Sequence, residues 1–156
     1  MPPRFPVKLV ERHETLIDTN MALGYLLGNR ARRLITTPTV AEELARLTGI
    51  KRDYIASAIH IEAPEFPLEF DEKYRVSGFK YGLFTKLPEY QMVREKCRLE
   101  WSSLAPADRE LAVASLWLKR KGRDVVVLTD DDRLIDCLEK IGVHAVKQSR
   151  RALAPL

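Results

Sequence analysis

The stretch Asp124-Val125-Val126-Val127-Leu128-Thr129 constrains this chain more than any other. Four large apolar residues in a row do not suit a sheet with one wet face, where apolar and polar side chains alternate. They suit a strand buried on both faces, as in parallel sheets flanked by helices. The run ends in Asp130-Asp131-Asp132, so a core strand delivers carboxylates to its own carboxyl end. An earlier apolar pair, Leu16-Ile17, stops at Asp18-Thr19-Asn20 in the same manner.

The intervening segments carry helical signals. Met21, Leu23, Leu26 and Leu27 recur at helical spacing over 20–27, and Gly28-Asn29 offers the stop. Arg32 to Thr37 is a short β-prone run. Thr37 can then cap a helix that begins at Pro38, carries the stripe Val40, Leu44 and Leu47, and closes at Gly49. Another helix enters over Ser103 to Glu110, continues with the mixed small and large face Leu111 to Leu118, and stops at Gly122. Leu134 to Ile141, Gly142 and Val143 to Val146 supply a last helix, stop and strand. This alternation predicts an α/β fold, a three-layer sandwich around a central, mostly parallel sheet. The 156 residues suit a single domain spanning 1–156.

Residues 50–103 break the rhythm and form a divergent, aromatic-rich insertion. Ile50 to Ile61 can be helical, Pro64 and Pro67 interrupt, and Tyr74 to Tyr81 predicts a β-hairpin around Ser77-Gly78. Tyr90 to Glu100 reads as a charged helix. Phe66, Phe70, Tyr74, Phe79, Tyr81, Phe84 and Tyr90 are seven of the twelve aromatic residues (five Phe, five Tyr, two Trp), interleaved with Lys73, Arg75, Lys80, Lys86, Arg94, Lys96 and Arg98. Rings that stack and cations that meet phosphates suit single-stranded RNA, with Tyr74, Arg75, Lys80 and Tyr81 as the candidate contacts. A dimer interface and a small local core explain the same composition.

Lys and Arg outnumber Asp and Glu by 26 to 22, a net charge of +4, which leans toward polyanionic partners without naming one. The clusters Lys119-Arg120-Lys121 with Arg123, and Arg150-Arg151, also suit a solvated helix end and tail. A mean hydropathy of −0.23 leaves no room for a spanning segment. The opening Met1-Pro2-Pro3-Arg4-Phe5-Pro6 lacks the pattern of a secretion signal, so a cytoplasmic location is expected. Cys97 and Cys137 lie far apart with no metal-binding spacing; two free buried thiols are expected, a disulfide being possible but unforced. His13, His60 and His144 are isolated and serve more cheaply as surface or strand residues than as ligands.

Each acid has an ordinary explanation alone. Asp18 can cap a helix, Glu42, Glu43 and Asp108 can sit in first turns facing the helix dipole, and the Asp130 triplet can be a polar turn. Jointly these explanations fit less well. Ligands bind beyond the carboxyl ends of parallel strands, and two core strands ending there in carboxylates bring like charges together. Converging oxygen ligands suit Mg2+ or Mn2+.

The series Leu16-Ile17-Asp18-Thr19-Asn20, Thr37-Pro38-Thr39-Val40-Ala41-Glu42-Glu43-Leu44, Leu104-Ala105-Pro106-Ala107-Asp108-Arg109-Glu110-Leu111 and Val127-Leu128-Thr129-Asp130-Asp131-Asp132-Arg133-Leu134 resembles the PIN domain in order and context. The resemblance covers 14–48 and 104–146. It implies a nuclease fold whose three or four acids hold a divalent metal and cut RNA, in VapC-type toxins and in ribosomal RNA-processing enzymes. Asp18 matches the first acid and Asp108 the third. The family pattern selects Glu43 over Glu42 as the second. For the fourth, Thr-x-Asp favours Asp131, and the Thr-Asp-Asp variant also allows Asp130. Thr129 matches the hydroxyl residue before the fourth acid, and Thr19 and Asn20 the polar pair after the first. The resemblance further implies a homodimer and, for a toxin, an antitoxin protein partner. The expected activity is that of a Mg2+- or Mn2+-dependent endoribonuclease that leaves a 5′-phosphate. A catalytically silent RNA-binding or scaffold module is the alternative. A haloacid-dehalogenase-like phosphatase fits poorly, since its chemistry wants an Asp where Asn20 stands.

Overall fold

The computed structural model describes residues 14–19, 21–22, 34–51, 54–55, 59–61, 75–76, 79–80 and 83–147. In chain order the elements are β1 (Glu14–Ile17), β2 (Ile35–Thr36), α1 (Pro38–Thr48), β3 (His60–Ile61), β4 (Arg75–Val76), β5 (Phe79–Lys80), a 3-10 turn (Leu83–Lys86), α2 (Pro88–Lys96), α3 (Arg98–Trp101), α4 (Pro106–Arg120), β6 (Val125–Thr129), α5 (Asp132–Lys140) and β7 (His144–Lys147). Five strands form one sheet in the order β3-β2-β1-β6-β7, every pair parallel. The expected α/β architecture holds.

All five residues of β6 are buried, as its unbroken apolar run requires of a strand covered on both faces. It lies between β1 and β7. Ile17 is opposite Leu128, and Thr129 is opposite Lys147, so the carboxyl ends of the three strands stand side by side. Helix α4 contacts β6 and several helices, and Leu111, Ala112, Ala114, Ser115 and Leu118 on it are fully buried. Burying each of the two leucines contributes roughly 1.5–3 kcal/mol. On α5 the buried residues are Leu134, Cys137 and Leu138, the i, i+3, i+4 stripe of an amphipathic helix.

Several boundaries differ from expectation. The helix considered for Ile50 to Ile61 is helical at Tyr54 and Ile55, but His60 and Ile61 are a strand, held in the sheet by pairing with Ile35 and Thr36. The charged helix over Tyr90 to Glu100 is two helices that break at Cys97. Of the expected hairpin, β4 and β5 pair antiparallel, while Ser77 and Gly78 lie outside the described residues. Thr37 precedes α1, yet its side chain makes no capping hydrogen bond.

Cys97 and Cys137 are joined in a disulfide, their Cα atoms 5.2 Å apart. Two free thiols were expected. The α2–α3 break places Cys97 against the buried stripe of α5, a neighbourhood that their separation of 40 residues conceals. Among the described residues no helix is long and apolar enough to cross a membrane.

Candidate functional site

Asp18 directly follows β1 and is buried, with 5% of its surface exposed. The chain turns helical directly after it: Ala22 N–H donates to the Asp18 carbonyl at 2.9 Å, and Met21 N–H donates to Oδ1 at 2.9 Å. Asp18 is therefore a helix cap, as its local sequence allows. Its second oxygen does something else. Oδ2 accepts the Thr129 hydroxyl at 2.5 Å, from the residue that ends the neighbouring strand. Thr129 Oγ1 in turn accepts from Asp131 N–H at 3.1 Å, and Asp131 Oδ1 caps α5 by accepting from Arg133 N–H (2.8 Å) and Leu134 N–H (3.2 Å). One hydrogen-bonded line thus joins the ends of β1 and β6 to the start of α5.

The remaining acids approach from two other helices. Glu43, half-buried on α1, accepts the Thr19 hydroxyl at 2.7 Å through Oε2. Asp108 lies in the first turn of α4, half-buried, and its carboxyl is pushed up to about 7. Burial is the main cause, followed by the negative charges of Asp18, Asp131, Glu43 and Asp130. The Asp18 carboxyl is also raised, first by burial and further by Asp130 and Asp131, against the opposing hydrogen bonds from Thr129 and Met21. The five acids singled out in the sequence therefore occupy one electrostatic neighbourhood. Asp131 acts more strongly than Asp130 on Asp108, and Asp130 more strongly on Asp18. Both remain members of the set.

Two residues at this edge escaped the sequence reading. Glu110 is buried, and its carboxylate caps α1 from outside: Oε1 accepts Thr39 N–H at 2.9 Å and Oε2 the Thr39 hydroxyl at 2.6 Å. Burial raises its carboxyl above the ordinary range, the Thr39 hydrogen bonds oppose the rise, and the charge of Glu43 adds to it. No local signal distinguishes it, because an acid in the second turn of a helix looks like any solvent-facing carboxylate. Lys147 ends β7 beside Thr129 and pairs with Asp132 at 2.8 Å, which raises its ammonium pKa. Its position at the end of the last strand was the available clue.

Asn20, Tyr74 and Tyr81 lie outside the described residues, as do the side chains of Arg75 and Lys80. Among the described residues, no three His, Cys, Asp or Glu side chains form a ready-made cage for one cation. The donor chemistry is nevertheless uniform. Asp18, Glu43, Asp108, Asp130 and Asp131 offer hard carboxylate oxygens, and the Asp18 and Asp108 carboxyls are raised first by burial and then by the charge of the neighbouring acids. Such a set fits a hard divalent cation better than a soft one. No protein-family model matches the chain, and no curated protein matches it.

Proposed function

We propose that the chain is a divalent-metal-dependent endoribonuclease with a PIN-like active site, acting on single-stranded or structured RNA as a toxin or as an RNA-processing nuclease. One observation carries the proposal: Asp18 and Asp131 are linked through Thr129 at the ends of neighbouring strands, and Glu43 on α1 and Asp108 at the start of α4 join them closely enough that Asp108 feels the charge of the other four acids. Acids crowded in this way repel, and cation binding relieves them. Asp18, Glu43, Asp108 and Asp130 or Asp131 would hold Mg2+ or Mn2+. When bound, the ion supplies charge that neutralises the scissile phosphodiester and lowers the pKa of an attacking water.

The chain's own contribution is positioning. Thr129 fixes the Asp18 carboxylate from the adjacent strand, and Thr19 fixes Glu43. Asp131 is oriented by the amino terminus of α5. A cytoplasmic setting, a homodimer and, for a toxin, an antitoxin partner belong to the same proposal. A silent RNA-binding module is the second reading, favoured by the fact that both Asp18 oxygens already accept hydrogen bonds.

Cleavage of single-stranded RNA with Mg2+ or Mn2+ tests the choice. The expected result is 5′-phosphate products, loss of cleavage in EDTA, and a fall of at least about 100-fold in Asp18→Asn and Asp108→Asn. Undiminished metal-dependent cleavage by Asp18→Asn would falsify its role as a ligand. Calorimetric Mn2+ titration of wild type and Asp131→Asn separates the two readings, since a silent module gives no saturable heat that the substitution weakens.

A further inference from the structure

A pocket of about 170 Å³ opens between α1, α2, α4 and the 3-10 turn. Phe84, Tyr90 and Val113 give it an apolar wall, and Thr39, Arg109 and Glu110 a polar one. Thr85 and Pro106, both exposed, rim its mouth. The polar wall is fixed from behind. Glu110 is held by Thr39 through both carboxylate oxygens, and Arg109 donates Nε–H to the Trp101 carbonyl at 2.8 Å while its guanidinium lies 5.1 Å from the centre of the Trp101 ring. The aromatic wall is fixed too. Tyr90 meets Trp101 edge-on at 5.4 Å between ring centres, and Phe84 meets Trp117 in the same way at 5.7 Å.

Size, chemistry and position narrow the occupant. Drug-sized ligands need pockets of roughly 300–1,000 Å³, whereas an apolar cavity of roughly 150 Å³ admits one benzene. This pocket therefore takes a single six-membered ring. A mostly apolar lining that includes two rings, one cation and one carboxylate suits a flat heterocycle that carries both hydrogen-bond donors and acceptors. The pocket also shares its two polar helices with the acids. Thr39 is one helical turn from Glu43 on α1, and Glu110, which accepts both Thr39 hydrogen bonds, feels the charge of Glu43. We propose that the pocket receives one unpaired pyrimidine base of the RNA strand whose backbone lies over the acid cluster. The occupant's identity rests on the nuclease reading; the pocket does not.

The chain's two tryptophans stand against the pocket's two rings, Phe84 and Tyr90, so intrinsic fluorescence reads the pocket directly. CMP and UMP, titrated into the metal-free protein, are expected to change the emission saturably. AMP and GMP should bind more weakly, and ribose 5-phosphate should give no saturable change. Arg109→Gln should weaken CMP binding about tenfold, the scale of one lost base-stacking or cation contact. Absence of a saturable change with CMP, an equal response to ribose 5-phosphate, or tighter binding of AMP than of CMP overturns the proposal, and none of these outcomes needs a variant to fold. A response to CMP in a protein that cleaves no RNA supports the pocket and overturns the nuclease. RNA cleavage without a response to CMP overturns the pocket alone.

Discussion

Asp108 has a carboxyl that titrates near neutrality, and this makes stability depend on pH in a predictable direction. Below about pH 4 both folded and unfolded chains hold its proton, and the group contributes nothing. Between about 4 and 7 the unfolded chain has lost the proton and the folded one keeps it, so stability falls as pH rises; above 7 the penalty is constant. With metal chelated, Asp108→Asn should therefore be more stable than wild type at pH 8, by on the order of 2 kcal/mol, and equal to it near pH 4. Denaturant unfolding at the two pH values checks this, and a variant less stable at pH 8 contradicts the charge crowding. At this scale much of the site was legible. Asp18, Asp108 and Asp131 announce themselves because each ends a strand or opens a helix, where an acid has a local reason to be. Glu110 did not, because its role depends on which helix faces it, and nothing around residue 110 encodes that.

Helix α1 shows how an element can be stabilised from outside its own sequence. Thr37 was the expected cap, but the orphan N–H at Thr39 is satisfied by Glu110 of α4, whose carboxylate also faces the positive end of the α1 dipole. Removing the Thr39 hydroxyl takes one donor from a buried carboxylate, so Thr39→Val should lower stability by about 1–3 kcal/mol. Thermal unfolding measures it, and an unchanged midpoint would mean that the Thr39 hydroxyl does not tie the two helices. Periodicity was enough to locate α1, α4, β6 and α5, whose apolar patterns are long. Gly49 closes α1 with φ at 70°, the left-handed geometry that its sequence position suggested. Short elements were harder. Two residues of β3 carry no period, and only pairing with β2 makes His60 and Ile61 a strand.

Across the whole molecule, the disulfide ties the α2–α3 junction to α5, reinforced by the Lys140 ion pair with Glu100. Because α5 is capped by Asp131, the crosslink supports the scaffold of the acid cluster without touching it. Closing a loop with a separation of 40 residues stabilises by about 2–4 kcal/mol, so treatment with dithiothreitol should lower the unfolding free energy by that amount, and Cys97→Ser/Cys137→Ser should match the reduced protein. Equal stability with and without reductant would show that the link carries no weight. Cysteine pairing was not legible, since it depends on tertiary proximity and neither residue sits in a spacing motif. The order of the sheet was legible only as a class, because β1 and β6 are neighbours in space and remote in sequence. The Asp18–Thr129 hydrogen bond spans 111 residues. Synthesis proceeds from the amino terminus, and a parallel strand cannot pair until its partner exists. Until Thr129 has emerged from the ribosome, Asp18 lacks its partner and the acid cluster lacks Asp130 and Asp131. A chain translated in the midst of messenger and ribosomal RNA thus completes this cluster only after Asp131 has been made.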